Sequence, residues 1–269
     1  MIKTIDDREN LGIIIQARMT STRLPGKILK DVFNNLTMLE AVIDRVNNVK
    51  KVSQIIVATT VNNTDYPVIK LCQKLKAKYP KLGTYRGDEN NVLSRFYFAG
   101  KEYGLHHLIR ITSDCPVIDS DVINNMVEKY FELYRKGECD YMSNIVERTF
   151  PRGLDAEIFT FKSLETAFFD LEVTKDEMEH VTAYIYSRPK KFKIKAFSQE
   201  QDFSKYRLTV DCQKDLDLIK LIYNSLYCEN PKFKQNQIIE LLQSHPDWLL
   251  LNHDVEMKFH SQRHYNKSK

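Results

Sequence analysis

Three short apolar runs rich in β-branched residues, each followed by a stretch of helical period, set the strongest limit on what this chain can fold into. Leu11 to Ala17 (LGIIIQA) is bounded by charge on one side and by the Pro25-Gly26 turn signal on the other, and reads as a buried strand. Leu39, Val42, Ile43 and Val46 then recur at i, i+3, i+4 and i+7, which lays one apolar stripe along a helix. The unit repeats with Gln54 to Thr60 (QIIVATT) as strand and Asp65 to Tyr79 as helix, Pro67 near its start and Val68, Ile69, Cys72 and Leu75 inward. A third helix follows Asp88, with Val92, Leu93, Phe96 and Tyr103 on one face. His107 to Thr112 (HLIRIT) is a further strand, and Ser120 or Asp121 caps a helix carrying Val122, Ile123, Met126, Val127 and Tyr130. Strands alternating with helices predict an α/β fold, a mostly parallel sheet covered on both faces.

After about Asp140 the rhythm changes. Tyr141 to Asn144, Glu157 to Phe161 and Phe192 to Phe197 are short strand-like pieces around two helical stretches, which reads as an inserted accessory lobe over about residues 140–205. Tyr206 to Asp211 (YRLTVD) reads as a strand returning to the main sheet, followed by a helix over Leu216 to Leu226 and another near Gln235 to Leu242. The main domain is thus placed at 1–230 and a C-terminal helical extension and tail at 231–269.

Composition narrows the class. Hydrophobic residues at 42% and charged residues at 28% are the balance of a folded globular chain, not of a disordered one. No run approaches the roughly 18 apolar residues of a membrane span, and MIKTIDDRENLGIII is acidic where a signal peptide is basic, so a cytoplasmic location is expected. The five cysteines are widely spaced and form no CxxC pair, which argues against a disulfide framework or a zinc site. With 40 basic against 36 acidic residues there is no nucleic-acid footprint, and the basic KFHSQRHYNKSK end reads as a solvated tail.

Ligands of open α/β sheets sit beyond the carboxyl ends of the strands, so the loops after the strands are the places to search. The first, Ala17 to Lys27, holds the cations Arg18, Arg23 and Lys27 and the hydroxyls Thr20, Ser21 and Thr22, donors of the kind that grip a polyphosphate. It is neither GxxxxGK[ST] nor GxGxxG, so side chains rather than stacked glycines would do the gripping. The second, Arg110 to Pro116, places Asp114 where a buried strand runs out. The third, Thr209-Val210-Asp211, repeats the arrangement, with Asp215 one helical turn later. Two strand-end aspartates in one crevice make a hard oxygen site suited to Mg2+ bridging phosphates. Other conspicuous residues have plainer readings: His106 and His107 as surface residues, Cys115 as a buried structural thiol, and Phe96, Tyr97 and Phe98 as core packing.

The stretch QARMTSTRLPGKIL, with ATT at Ala58 to Thr60, RITSDCPVID at Arg110 to Asp119, FPRGLDAEIF at Phe150 to Phe159, EHVTAYIY at Glu179 to Tyr186 and RLTVD at Arg207 to Asp211, resembles the cytidylyltransferases that make CMP-activated acidic sugars. It looks closest to the branch called spore coat polysaccharide biosynthesis protein F, over roughly residues 11–226. The resemblance implies a Rossmann-like nucleotidyltransferase fold, a three-layer sandwich with a small inserted dimerisation and acceptor lobe. It implies CTP as donor, Mg2+ as cofactor, a small acidic acceptor such as a sugar acid, and a homodimer. Position by position it assigns Arg18, Arg23 and Lys27 to the triphosphate, with Ala17, Ser21 and Thr112 beside them, and Asp114 and Asp211 to the metal. Lys27, Asp114 and Asp211 are the catalytic expectation. Arg152, Glu157, His180 and Arg207 fall in the part assigned to the acceptor or the dimer contact. One departure stands at Asn91, where the branch usually carries an acidic residue before Val-Leu. Activation of a phosphonate or a sugar phosphate, or a catalytically silent nucleotide-binding protein, are the other readings. A glycosyltransferase is disfavoured because Thr112-Ser113-Asp114 has one carboxylate and not a DxD pair.

Overall fold

The computed structural model describes residues 10–255. Along the chain run β1 (Leu11–Gln16), β2 (Asp31–Phe33), β3 (Leu36–Thr37), α1 (Met38–Val46), β4 (Gln54–Thr60), α2 (Tyr66–Leu75), β5 (Leu82–Gly87), α3 (Val92–Glu102), β6 (His107–Thr112) and α4 (Ser120–Arg135). Then follow β7 (Tyr141–Ser143), β8 (Glu157–Thr160), α5 (Phe161–Phe169), α6 (Lys175–Glu179), α7 (Ala183–Tyr186), β9 (Ile194–Ala196), α8 (Gln213–Leu226) and α9 (Gln235–Ser244). The main sheet has the order β5-β4-β1-β6-β8-β7-β9. β1 lies between β4 and β6, parallel to both, so both its edges are paired, and a core packs on each of its faces. That position needs apolar side chains in both directions, and Ile13, Ile14 and Ile15 are each fully buried.

The period of two divides these isoleucines between two cores. Ile13 and Ile15 face the larger one, with α1, α2, α4, α8 and α9, while Ile14 faces a smaller one built with α3, α5 and α7. Truncating any of the three to Ala removes a fully enclosed side chain and costs about 2–5 kcal/mol.

Several local expectations are corrected. β5 (LGTYRG) was not expected, because its two glycines and few β-branched residues hide a strand. Gly83 is bare because a Cβ there would stand 2.4 Å from the Tyr103 Oη. The expected strand at Tyr206 to Asp211 does not join the ladder; its strand-type contact is a single bridge from Arg207 to Arg152. The reason is that β6 already pairs with β1 on one edge and with antiparallel β8 on the other. Within the segment 140–205, the expected strand-like pieces are β7, β8 and β9, and they extend the main sheet. Asp119, not Ser120 or Asp121, caps α4, its carboxylate accepting from the Asp121 N–H at 2.8 Å. His107 is buried and packs against the Tyr130, Phe131 and Tyr134 rings, so it is no surface residue. Cys115 is buried, as are Phe96 and Tyr97, while Phe98 is exposed. Asn91 caps α3 through its side chain, which accepts from the Ser94 N–H at 2.9 Å.

The chain beyond residue 230 closes onto the larger core through Phe233, Ile238 and Leu242, all fully buried. Arg45 on α1 holds it there, its guanidinium 4.0 Å over the Phe233 ring and donating to the Phe233 carbonyl at 3.0 Å. The KFHSQRHYNKSK tail lies outside the described residues. No described helix is long and apolar enough to cross a membrane.

Candidate active site

An open cavity of about 330 Å³ lies beyond the carboxyl ends of β1 and β6, within the size range of small-ligand sites. The loop after β1 forms one wall and is held by backbone geometry. The Ala17 N–H donates to the Ala58 carbonyl at 3.1 Å, and the Met19 carbonyl accepts from the Ser21 and Gly26 N–H groups at 3.0 and 2.9 Å. Gly26 sits at φ 67, the left-handed region open to glycine at little cost, and this turn brings Lys27 inward at the head of a short 3-10 turn, Lys27–Leu29. Asp65 secures the loop from outside it, accepting from the Met19 N–H at 2.8 Å and from the Thr59 and Thr60 hydroxyls. Burial works to raise the Asp65 pKa, but these donors outweigh it and the carboxyl titrates below its usual range.

Lys27 is the centre of the site. Its Nζ lies 3.1 Å from Asp114 Oδ2 and 3.2 Å from Asp211 Oδ1, and it donates to the Val210 carbonyl at 2.6 Å. Two carboxylates more than 90 residues apart in sequence therefore share one ammonium. Burial pulls the Lys27 pKa down, yet the Asp114 and Asp211 charges overcome that and hold it above the usual lysine value. Asp114 shows the reciprocal effect: burial works to raise its pKa, but the Lys27 charge and the hydrogen bonds from Thr112 and Lys27 outweigh it and the carboxyl titrates below its usual range. Asp211 also pairs with Arg23 at 3.0 Å and Arg207 at 2.9 Å. Arg18 stands 3.8 Å from Glu89, which also accepts from the Thr20 hydroxyl at 2.6 Å.

The segment carrying Asp211 is fastened without a ladder. Its Val210 N–H donates to the Asp114 carbonyl at 2.9 Å and its Leu208 N–H to the Arg152 carbonyl at 2.7 Å. Arg207 is buried behind Asp211 and binds Asp215 at 2.8 Å, and Asp215 accepts the Asp211 N–H at 2.8 Å. Asn252 donates to the same Asp215 at 2.9 Å.

Of the residues singled out from sequence, Ala17, Arg18, Ser21, Arg23, Lys27, Thr112, Asp114, Asp211, Glu157 and His180 line the cavity together. Arg152 and Arg207 do not: the first joins the backbone bridge and the second orients Asp211 from behind. Glu157 is engaged in full. Arg110 pairs with one oxygen, while Tyr141 at 3.0 Å and the Thr182 hydroxyl donate to the other. Arg110 also donates to Gln16 at 3.0 Å, which fixes its guanidinium in the wall. His180 sits 3.4 Å from Asp176 and precedes Val181, a β-branched residue at φ 53. That conformation is strained, and the turn it makes sets His180 and Thr182 against the cavity.

Gln16, Arg95, Arg110, Asp155, Thr182 and Tyr186 also line the cavity and were not among the expected site residues. Arg95 and Arg110 carried a sequence signal, each a charge set within an otherwise apolar helix face or strand.

The sequence profile of the cytidylyltransferase family matches residues 12–244. The chain belongs to the cytidylyltransferase family. It is 35% identical over 250 residues to an uncharacterised protein of Methanocaldococcus jannaschii, covering 91% of this chain and 95% of that one. It is 30% identical over 241 residues to the spore coat polysaccharide biosynthesis protein SpsF of Bacillus subtilis, covering 87% and 94%. A solved cytidylyltransferase from Leptospira borgpetersenii superposes with a TM-score of 0.81 at 33% identity, covering 93% of this chain and 99% of that one. This cytidylyltransferase has two carboxylates close enough to share one cation, and no third carboxylate, histidine or cysteine joins them in a cluster among the described residues. Hard oxygens of this kind suit a small divalent ion whose remaining positions are filled by phosphate oxygens and water.

Proposed function

We propose that this chain transfers a cytidylyl group from CTP to an acidic sugar or a related acceptor, with release of pyrophosphate, in the supply of surface polysaccharide precursors. The observation that carries this reading is the bridge from Lys27 to both Asp114 and Asp211, placed beside Arg18 and Arg23 at the strand ends. The family assignment supports the reaction class, and the relative from Bacillus subtilis supports the polysaccharide context.

Asp114 and Asp211 would hold Mg2+, which when bound draws negative charge from phosphate oxygens. Lys27, Arg23 and Arg18 now face Asp114, Asp211 and Glu89, and on binding they turn their donors to the triphosphate. The acceptor hydroxyl gives its proton to solvent water as its oxygen bonds to the α-phosphorus, and the bond from the α-phosphorus to the bridging oxygen breaks, that oxygen leaving with the pyrophosphate. The charge that collects on the departing pyrophosphate is met by these three cations. Arg110, His180 and Tyr186, which line the same cavity, would receive the acceptor.

Asp114→Asn and Asp211→Asn should each lower pyrophosphate release from CTP by about 100-fold or more while far-UV circular dichroism is unchanged. Wild-type turnover in both variants sinks the metal assignment. Incubation with CTP, Mg2+ and a set of sugar acids, sugar phosphates and phosphonates, followed by mass identification of any CMP conjugate, names the acceptor class. CTP binding without turnover on every acceptor would favour a silent nucleotide-binding protein.

A further inference from the structure

The 3-10 turn Pro246–Leu250 and the residues after it lie beyond position 244, where the match to the family profile ends. Packing and an ion pair fasten this stretch to the body of the protein. Trp248 and Leu249 pack against the larger core, and Lys214 pairs with Asp254 at 2.6 Å on the surface. Asn252 lies between these fastenings and is 5% exposed. Both hydrogens of its side-chain amide are used: Nδ2 donates to Asp215 Oδ1 at 2.9 Å and to the Arg207 carbonyl at 3.2 Å. One amide thus ties the backbone of Arg207 to the carboxylate that the Arg207 guanidinium grips.

Asp215 is fully buried and engaged on both oxygens. Oδ1 also accepts from Arg207 Nε at 2.8 Å, while Oδ2 accepts from Arg207 Nη2 at 3.0 Å and from the Asp211 and Cys212 N–H groups at 2.8 and 3.1 Å. A carboxylate bound by two prongs of a guanidinium fixes the plane of that guanidinium. The same Nη2 donates to Asp211 Oδ2 at 2.9 Å, so the direction of the Asp211 carboxylate is set through this pair.

Charge gives the pair a second task. Asp211 touches Lys27, Arg23 and Arg207. The first two come from the loop after β1 and line the cavity, whereas Arg207 is buried on the segment that carries Asp211 itself. When the triphosphate draws Lys27 and Arg23 to itself, Arg207 is the cation that stays. An uncompensated guanidinium at that distance would repel a divalent cation from Asp211. Gripped on two prongs by Asp215, Arg207 belongs to a pair of zero net charge, which leaves the Asp211 charge to the cavity.

We infer that Asn252 is a positioning residue for the transfer reaction. By tying the Arg207 backbone to Asp215 it keeps the pair closed, and the closed pair keeps Asp211 turned to the cavity with its charge free for a divalent cation. This rests on the reading of Asp211 as a cation ligand. Removing the amide takes a donor from Asp215 Oδ1 and another from the Arg207 carbonyl, so the guanidinium can swing out of the Asp215 plane. Partners one layer out from a cation ligand are worth about 10–100-fold in cation affinity, and Asn252, a layer further, should sit near the lower end.

The test uses the full chain with Mn2+ as the probe, its binding followed by electron paramagnetic resonance without nucleotide. Asn252→Ala should bind Mn2+ about tenfold more weakly than the wild type. Its affinity for inorganic tripolyphosphate, measured by calorimetry without divalent cation, should hold, because Arg18, Arg23 and Lys27 are untouched. Asp254→Ala releases the same stretch at its surface ion pair and should keep wild-type Mn2+ affinity. Arg207→Lys keeps the charge but not the fork and should weaken Mn2+ binding by itself, and adding Asn252→Ala to it should cost little more, since Asn252 acts through that fork. Unchanged Mn2+ affinity in Asn252→Ala overturns the proposal. Equal losses in Asn252→Ala and Asp254→Ala overturn it as well, as do additive losses in the double variant, because each makes the effect a general loosening. Asp211→Asn separates the two readings: wild-type Mn2+ affinity there refutes Asp211 as a cation ligand and this proposal together, whereas a loss there beside unchanged Asn252→Ala removes the positioning role alone.

Discussion

At the scale of single residues, Lys27 is the group that joins the two halves of the site. It is the shared counter-ion of Asp114 and Asp211, so Lys27→Met leaves two carboxylates facing each other with Arg23 and Arg207 as their remaining cations. The expected loss of stability is about 2 kcal/mol, below the usual figure for a fully enclosed pair because both aspartates keep some contact with water. Urea titrations with and without Mg2+ check this, since the divalent ion should restore more stability to the variant than to the wild type. The variant should also bind CTP more weakly while its affinity for CMP changes little. Equal losses for CTP and CMP would count against a triphosphate contact. Lys27, Asp114 and Asp211 were legible in sequence because each closes an apolar run or its following loop. Arg95 was passed over, although it sits three residues after Val92 and one before Phe96, on a face that is otherwise buried.

Among the elements, the segment 206–211 is the one whose role the strand pattern misstated. Tyr206, Leu208 and Val210 enter the larger core at the expected period of two, but the segment's hydrogen bonds go to the 152 loop and to Asp114 instead of to a sheet neighbour. Gly153 makes that approach possible. It sits at φ 102, and a Cβ there would stand 2.5 Å from the Leu208 backbone carbon. Gly153→Ala should therefore cost about 2 kcal/mol or more and displace Asp211, lowering turnover as well as the melting temperature. Thermal melts paired with pyrophosphate release check both effects. β6 carries a pH-dependent element at its start. Burial lowers the His107 pKa to about 4, with His106 adding to the effect, against 6.5 for the free side chain. A base with a depressed folded pKa adds stability above its unfolded pKa and loses it as pH falls through the folded value. Stability should thus drop by up to about 3 kcal/mol between pH 6.5 and pH 4 from this group. In His107→Gln, urea midpoints measured across that window should show a shallower fall.

Across the whole molecule, the C-terminal helices are part of the main core. Phe233, Ile238 and Leu242 fill it, Arg45 clasps the Phe233 backbone, and Asn252 reaches back to Asp215 behind the site. A chain ending at residue 230 should lose cooperative unfolding by circular dichroism; a native-like melt would show that the core closes without them. The homodimer implied by the family resemblance has a candidate face where Phe98 and Phe169 join the Tyr97 and Phe168 rings and Leu171 is fully exposed. Phe169→Asp combined with Leu171→Asp should convert a dimer to a monomer in light scattering. A monomeric wild type would remove the idea.

What the sequence determined by itself is the set of features written in short-range pattern. These are the buried strands β1, β4 and β6, the helices between them, the cation loop after β1, and the aspartates at the ends of apolar runs. Hydrophobic period and turn chemistry act over a few residues, so one chain suffices to read them. The tertiary structure alone decided what depends on long-range company. It put β7, β8 and β9 into the main sheet, kept 206–211 out of it, and buried His107. It turned Arg207 away from the cavity toward Asp215 and left Arg95 with donors that nothing in the described chain accepts. Which edge of β6 is already taken, and which charge already has a partner, are settled by residues tens to hundreds of positions away.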